Sequence, residues 1–142
     1  MDKKCGHSPL TEESAREVLR QKGINRTKGK IKILQMISKS DKPLSVPEIH
    51  TRIKESCDLS TIFRTITQFK ENNLVQEVNL DEGFCRYELL HQHHHHHHHH
   101  VRCRNCGEIK NLDQCDLSVF EKAVQKLGYS SMEHKLEFSG IC

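Results

Sequence analysis

The sequence predicts an α+β protein in which an N-terminal winged helix-turn-helix domain is followed by a small α/β domain. Two observations predict this class. In the first half, apolar residues recur at helical spacing and then alternate over two short segments, as in helices followed by a hairpin. A histidine run, His93–His100, then separates this part from a segment of different composition. We therefore expect one domain over residues 1–91 and a second over residues 92–142.

The composition excludes a membrane-spanning protein and favours metal or redox chemistry at cysteine and histidine. The chain has 142 residues, 35% of them hydrophobic and 29% charged, and no apolar run approaches the roughly 20 residues that cross a bilayer. No apolar segment follows the lysines near the N-terminus, as a secretory signal requires, so we expect a cytoplasmic protein with no membrane partner. In a reducing compartment, seven cysteines and twelve histidines favour metal ligands or redox groups over disulfides.

Positive charge is concentrated in the first half of the chain. Residues 16–64 contain twelve lysines and arginines against five acidic residues, whereas residues 93–142 contain six of each. The basic surface is therefore expected on the N-terminal domain.

Four helices are expected in the N-terminal domain, each from apolar residues at helical spacing. They cover residues 11–22, residues 28–39, a short segment after Ser45, and a segment from about Ser60 to Asn72. Gly23 ends the first helix. Ser45 and Glu48 form a capping box at the start of the third.

Two strands and a small α/β segment follow. The strands are expected at residues 74–80 and 84–90, joined by a turn in which Gly83 permits a tight reversal. In the second domain we expect a strand through Val101, a strand near 108–112, a helix over 117–127 and a last strand over 135–138. A unit of about fifty residues buries little apolar surface, so it needs a metal, a partner subunit or both.

The fourth helix carries side chains suited to DNA. A helix that enters the major groove must present groups that reach base edges and phosphates. Hydroxyl, guanidinium and aromatic groups lie away from its apolar stripe: Ser60, Thr61, Phe63 and Arg64. Basic residues near the second helix would reach phosphates or a minor groove: Arg26, Lys28 and Lys30. The alternative is a solvated basic helix pair within another helical domain.

A zinc site is expected from the cysteines of the second domain. Cys103 and Cys106 are spaced as in a zinc knuckle and are followed by Gly107, so both thiolates can face one ion. Cys142 is the third ligand if the last strand returns beside the knuckle. The fourth is left open between Cys115, a histidine and the carboxylate of Cys142. The alternative is a redox pair or free thiols.

The histidine run offers ligands for further metal. If residues 97–101 are extended, His97 and His99 face one side and His98 and His100 the other, which permits two sites. Neutral imidazoles suit zinc, nickel, copper and ferrous iron. The alternative is a loose metal-binding loop.

Together these segments resemble the ferric uptake regulator family of metal-dependent repressors. Residues 59–69, Leu-Ser-Thr-Ile-Phe-Arg-Thr-Ile-Thr-Gln-Phe, are similar to the family's recognition helix, and Tyr87-Glu88-Leu89 to its strand leading into the histidines. The most specific match is the histidine run followed by Val101-Arg102-Cys103-Arg104-Asn105-Cys106-Gly107. His134 and the segment Gly140-Ile141-Cys142 also fit, so the resemblance covers roughly residues 20–142.

The resemblance implies a function. It implies a homodimer that binds a palindromic, AT-rich double-stranded operator when loaded with a divalent metal, and that represses metal-homeostasis genes. Phe63 and Arg64 match residues that touch DNA, and Arg26 lies near the family's minor-groove residue. The implied cofactors are a structural zinc and a regulatory ion, zinc, nickel or iron.

The resemblance also implies the regulatory ligands, with departures. Glu88 and His100 match a sensing site between the domains, and His97 and His134 match a site in the dimerisation domain. His99 stands where the family has an aspartate, Asn111 where it has a carboxylate, and Pro43 where it has a histidine. Nitrogen thus replaces oxygen, from which we hypothesise that zinc or nickel is sensed rather than iron.

Other functions compete with this one. A histidine-rich metal buffer or chaperone would store ions and dock a protein through its helical half. A peroxide sensor of the same family would use iron-catalysed histidine oxidation. The sequence has no His-Glu-x-x-His, Walker or nucleophile-elbow motif, so we expect neither catalytic residues nor a small-molecule substrate.

Overall fold

The computed structural model describes residues 8–90, 99–112 and 116–142 of the chain. The chain divides into two compact units, Met1–His93 and His94–Cys142. The helices in the described residues are α1 (Glu12–Gln21), α2 (Lys28–Lys39), α3 (Val46–Ile53), α4 (Leu59–Glu71) and α5 (Ser118–Lys126). The strands are β1 (Leu44–Ser45), β2 (Val75–Asn79), β3 (Cys85–Leu89), β4 (His99–Cys103), β5 (Ile109–Leu112) and β6 (Glu137–Gly140).

Each helix of the first unit starts at a side-chain cap. Thr11, Thr27 and Asp58 accept hydrogen bonds from the backbone of the first turn of α1, α2 and α4. Ser45 and Glu48 form the reciprocal capping box of α3 that the sequence predicts. The expected span of α2, residues 28–39, is confirmed at both ends. Thr27 caps the start of the helix, and the buried apolar residues of α2 lie within that span.

The first unit is a winged helix-turn-helix. Helix α4 is followed by the antiparallel hairpin β2–β3, which is the wing. Strand β1, which the sequence did not predict, pairs antiparallel with β3, with Leu44 opposite Tyr87, so the sheet order is β1-β3-β2. Two residues are too few to show an alternating pattern, which explains the omission.

One hydrophobic core joins all of these elements. The side chains of Leu19, Ile33, Ile49, Ile62 and Phe69 are fully buried, and each of the four helices contributes at least one of them. The α4 stripe of Ile62, Ile66 and Phe69 faces this core as predicted. The opposite side of α4 is therefore free to contact a partner.

In its described residues, the second unit is a small sheet with one helix. Strand β4 lies in the centre, antiparallel to β5 and parallel to β6. The last strand begins later than the expected residues 135–138, because its pairing with β4 sets Phe138 opposite Val101 and continues to Gly140 opposite Cys103. None of the helices in the described part of the chain has the length and apolarity needed to span a bilayer.

Candidate functional site

Helix α4 presents the residues expected to contact DNA on its exposed side. Phe63 is 50% exposed and Arg64 and Ser60 are also exposed. Thr61 is half-buried, and both its backbone N–H and its hydroxyl donate to Asp58, at 2.7 and 3.1 Å. The hydrogen bond from the Thr61 backbone is the main reason that the pKa of Asp58 is lowered. Thr61 thus helps to fix the start of the helix.

The basic residues before and within α2 flank Gly29, which lies next to the residue before the cap of α4. Arg26 and Lys28 are exposed, whereas Lys30 is half-buried. A Cβ atom added at Gly29 would lie 2.5 Å from the Sγ atom of Cys57, the residue that precedes the cap of α4. A larger residue at position 29 would force the Cys57 side chain to move, so the first turn of α2 packs closely against the segment that leads into α4.

Arg86 links the wing to α3 through hydrogen bonds. The sequence did not indicate this role. Its guanidinium donates to Glu82 in the wing turn at 2.5 and 3.2 Å, to Glu48 at 2.7 Å and to the carbonyl of Pro43 at 3.2 Å. The hydrogen bonds to Glu82 outweigh burial and raise the pKa of Arg86. An arginine in a strand is more often exposed than buried, so its alternation pattern gave no signal of this role.

Glu48 belongs to both the capping box and the Arg86 cluster. Its carboxylate accepts from the backbone N–H of Ser45 at 2.9 Å and from Arg86. Burial raises the pKa of Glu48, but these hydrogen bonds and the charge of Arg86 outweigh it, so the pKa is lowered. One carboxylate therefore fixes the start of α3 and its connection to the wing.

Three cysteines meet in the second unit as the spacing predicts. The ligand atoms of Cys103, Cys106 and Cys142 all lie within 4.8 Å of one another. Cys142 Sγ is 3.3 Å from Cys103 Sγ and 3.6 Å from Cys106 Sγ. The parallel pairing of β6 with β4 brings Cys142 to the knuckle. Cys115, one of the candidate fourth ligands, lies outside the described residues.

The protein environment prepares this cluster for a cation. Backbone N–H groups of Cys106, Cys142 and Asn105 point to Cys103 Sγ at 3.3–3.5 Å. The first of these is the largest cause that lowers the pKa of Cys103 to about 6. The neighbouring sulfurs of Cys103 and Cys106 raise the pKa of Cys142 to about 11. Three clustered sulfurs, one of them readily a thiolate, fit zinc, whose charge would favour the remaining thiolates.

Two buried histidines lie in β4, and each has a different partner. His99 and His100 are each 2% exposed. The ring of His99 lies 5.3 Å from the ring of His134, centroid to centroid. His100 Nδ1 lies 3.1 Å from Asn111 Oδ1, and because that oxygen can only accept, the hydrogen bond forms in the tautomer that has its proton on Nδ1. Successive residues of a strand point to opposite faces of the sheet, so the two imidazoles lie on opposite faces of β4 and can contribute to two separate sites.

The other candidate ligands are only partly described. Glu88 on β3 is half-buried and accepts a hydrogen bond from the amide of Gln76 at 2.6 Å. His97 lies outside the described residues. The paired imidazoles of His99 and His134 are a donor set that suits zinc, nickel or ferrous iron.

The fold and these residues define a winged-helix protein with a separate α/β unit that carries clustered thiols and imidazoles. The chain belongs to the ferric uptake regulator family, whose sequence pattern matches residues 21–139. This is a family of metal-dependent transcription regulators rather than enzymes. The resemblance seen in the recognition-helix and Cys-x-x-Cys segments is thereby confirmed.

Individual relatives are distant but cover nearly the whole chain. The ferric uptake regulation protein of Legionella pneumophila is 30% identical over 133 residues, 87% of this chain and 93% of the relative. That of Neisseria gonorrhoeae is 27% identical over 133 residues, 87% of this chain and 88% of the relative.

The solved structure of the Helicobacter pylori ferric uptake regulator, which has three functional metal-binding sites, shares the fold. It matches with a TM-score of 0.75 at 20% identity, over 96% of this chain and 95% of that chain. Other structures of the family contain iron, manganese or zinc.

Proposed function

We propose that this protein is a metal-responsive repressor that binds palindromic, AT-rich operator DNA as a homodimer and controls metal-homeostasis genes. The observation that carries the proposal is the exposed face of α4, where Phe63 and Arg64 project from a helix whose other side is fully packed. Residues 1–91 would be the DNA-binding domain and residues 92–142 the metal-binding dimerisation domain.

In this proposal, α4 reads the major groove. Arg64 and Ser60 contact phosphates or base edges, and Phe63 contacts a thymine methyl group. Arg26 and Lys28, at the adjoining start of α2, contact phosphates or the adjacent minor groove. Thr61 contributes mainly by holding the first turn with Asp58, and Lys30 contributes less because it is half-buried.

Two kinds of metal site support the response. Cys103, Cys106 and Cys142 would hold a structural zinc, which cross-links β4 to β6. Glu88, His97, His99, His100 and His134 are the proposed regulatory ligands. The DNA-competent arrangement must bind the regulatory ion more tightly than other arrangements, since only differential affinity shifts a population.

The nitrogen-rich donor set of the regulatory ligands favours zinc or nickel over iron. Titration in which ferrous iron alone promoted DNA binding would overturn this preference.

The homodimer is supported by exposed apolar residues in the second unit. Helix α5 has no buried residue, and Val119 and Leu127 are 75% and 74% exposed. Phe120, Tyr129 and Ile141 are also largely exposed. A second copy that covers this surface would bury it as an isologous interface. Sedimentation should show a dimer for the native chain and a monomer for Phe120→Asp.

The DNA-binding step is tested with Arg64→Ala and, as a matched control, Arg16→Ala, which removes an exposed arginine from α1. Fluorescence anisotropy would measure binding to a duplex selected from a random-sequence pool. Arg64→Ala should weaken binding by about 10- to 100-fold, with metal content and folding unchanged. A metal buffer would show no DNA binding in the native protein and no effect of either variant on its ion uptake.

The metal response is tested with His100→Ala. The variant should keep its structural zinc and its fold but lose the gain in DNA affinity that added metal produces. Metal-dependent affinity equal to that of the native protein would contradict the role of His100.

A further inference from the structure

A groove with basic walls lies between α2 and α3, outside the surface proposed to read bases. Its volume is about 430 Å³, and four of its lining residues are cations: Lys32 and Lys39 from α2, and Arg52 and Lys54 from α3 and its C-terminal end. All four are exposed, and Glu55 is the one carboxylate in the lining. We refer to these four cations and the space between them as the basic groove.

The cations of the basic groove outnumber the acidic side chains of its lining by four to one. Among residues 8–90, 99–112 and 116–142, no ion pair includes any of the four cations. Lys32 Nζ instead donates to the hydroxyl of Ser56 at 2.7 Å, and Arg52 Nη1 lies 3.9 Å from the sulfur of Met36. Neutral partners on the opposite wall thus hold two of the cations in place while their charge stays available to an anion.

The basic groove is continuous with the proposed DNA surface. Lys28, Lys32 and Lys39 are spaced by four and seven residues, which places them on one face of α2. They extend over about 16 Å of helix, comparable to the rise of about five base pairs. On the other wall, Lys54 lies four residues before Asp58, the cap of α4. Each wall therefore leads along the chain to the proposed DNA-binding elements, one to Lys28 at the start of α2 and the other to Asp58 at the start of α4.

We propose that the basic groove binds backbone phosphates of the DNA that flanks the operator, a proposal that rests on the DNA-binding function proposed above. Phosphate contacts of this kind carry no sequence information, but they release counterions and add affinity that depends on salt. Continuity with Lys28 and with the start of α4 favours a DNA strand over an acidic protein as the occupant.

The test compares two duplex lengths. One duplex carries the selected palindrome in about 20 base pairs, enough for two half-sites one helical turn apart, and the other extends it by about 10 base pairs on each side. The native protein is compared with K39Q/R52Q, which changes two exposed cations of the basic groove. The control K110Q/K126Q makes the same change of net charge in the second unit.

The native protein and the control should bind the longer duplex about 3- to 10-fold more tightly, with a steeper dependence on salt. K39Q/R52Q should not show that gain, and its salt slope should fall by about one for each phosphate that the variant no longer neutralises. Its affinity for the short duplex should change less than about 2-fold. Hydroxyl-radical footprinting should show that protection of the flanking backbone disappears in this variant alone.

Two results would overturn the proposal in different ways. If the native protein binds both lengths with equal affinity and salt slope, or K39Q/R52Q behaves as the control does, the basic groove serves another polyanion, such as an acidic protein, and DNA binding by α4 still stands. If the native protein binds neither duplex at any metal loading, the proposed function fails together with the proposal.

Discussion

The described residues of the two units differ in how much apolar surface they bury. In the first unit, residues from all four helices and the wing sheet form one core in which Leu19, Ile49 and Phe69 are completely buried. In the described part of the second unit, the buried residues are Cys103, Ile109, His99 and His100. The first unit therefore holds its shape through hydrophobic packing, whereas a second unit with so small a core would gain its stability from the metal and the partner subunit proposed above.

The largest expected effect comes from removing the proposed structural zinc. Cys103→Ser, or extraction of the zinc with a strong chelator, should unfold the second unit, because structural zinc sites contribute on the order of 10 kcal/mol to the folding of small domains. Mass spectrometry would report the loss of zinc, and hydrogen exchange would report loss of protection in β4 and β6.

Cys85→Ser is the matched control, since Cys85 is a thiol on the wing, where it donates to Glu77. This variant should keep both zinc and protection. Equal protection of β4 in Cys103→Ser and in the control would contradict the dependence of the second unit on metal.

The second-largest effect is expected on the stability of the first unit when its core is disrupted. Phe69→Ala removes a fully buried ring and should lower the free energy of unfolding of this unit by about 3–5 kcal/mol. Zinc content should not change. Denaturant titration of helical circular dichroism measures the loss, with Phe63→Ala as the exposed counterpart on the same helix. Similar losses for the two variants would mean that α4 does not pack as described.

A smaller effect is expected at Arg86. Arg86→Met removes the cation between Glu82 and Glu48 and should destabilise the first unit by about 3 kcal/mol, because the Glu82 carboxylate is left buried. The double variant Arg86→Met/Glu82→Gln should regain part of that loss. A double variant as unstable as the sum of both changes would show that the pair is not coupled.

The smallest effect is a pH dependence carried by Glu48. The folded-state pKa of Glu48 is below its ordinary value of 4.5, so its contribution to stability is complete above that pH. The contribution should decline as the pH falls below 4.5 and through the lowered folded-state pKa. Glu48→Gln should flatten the acid limb of a stability-against-pH curve measured by denaturant titration. An unchanged acid limb would contradict the assignment.

Local signals explain which parts of the structure could be predicted. The spans of α1–α4 followed from apolar spacing and caps, and the cysteine cluster followed from the spacing of Cys103 and Cys106. Strand β1 and the Arg86 cluster could not be predicted, since a two-residue strand has no pattern and a buried arginine depends on partners distant in sequence. The partners of His99 and His100 likewise depend on strand pairing, which brings Asn111 opposite His100.

Metal content, folding and DNA affinity should be measured in the same sample before and after mild chelation, since metal-dependent DNA binding is the central proposal. We expect that one tightly held zinc remains, that the helices of the first unit stay folded, and that affinity for the selected duplex disappears and returns when a divalent metal is added. Affinity that never depends on metal would contradict the proposed response, as would a protein that loads several ions but never binds DNA.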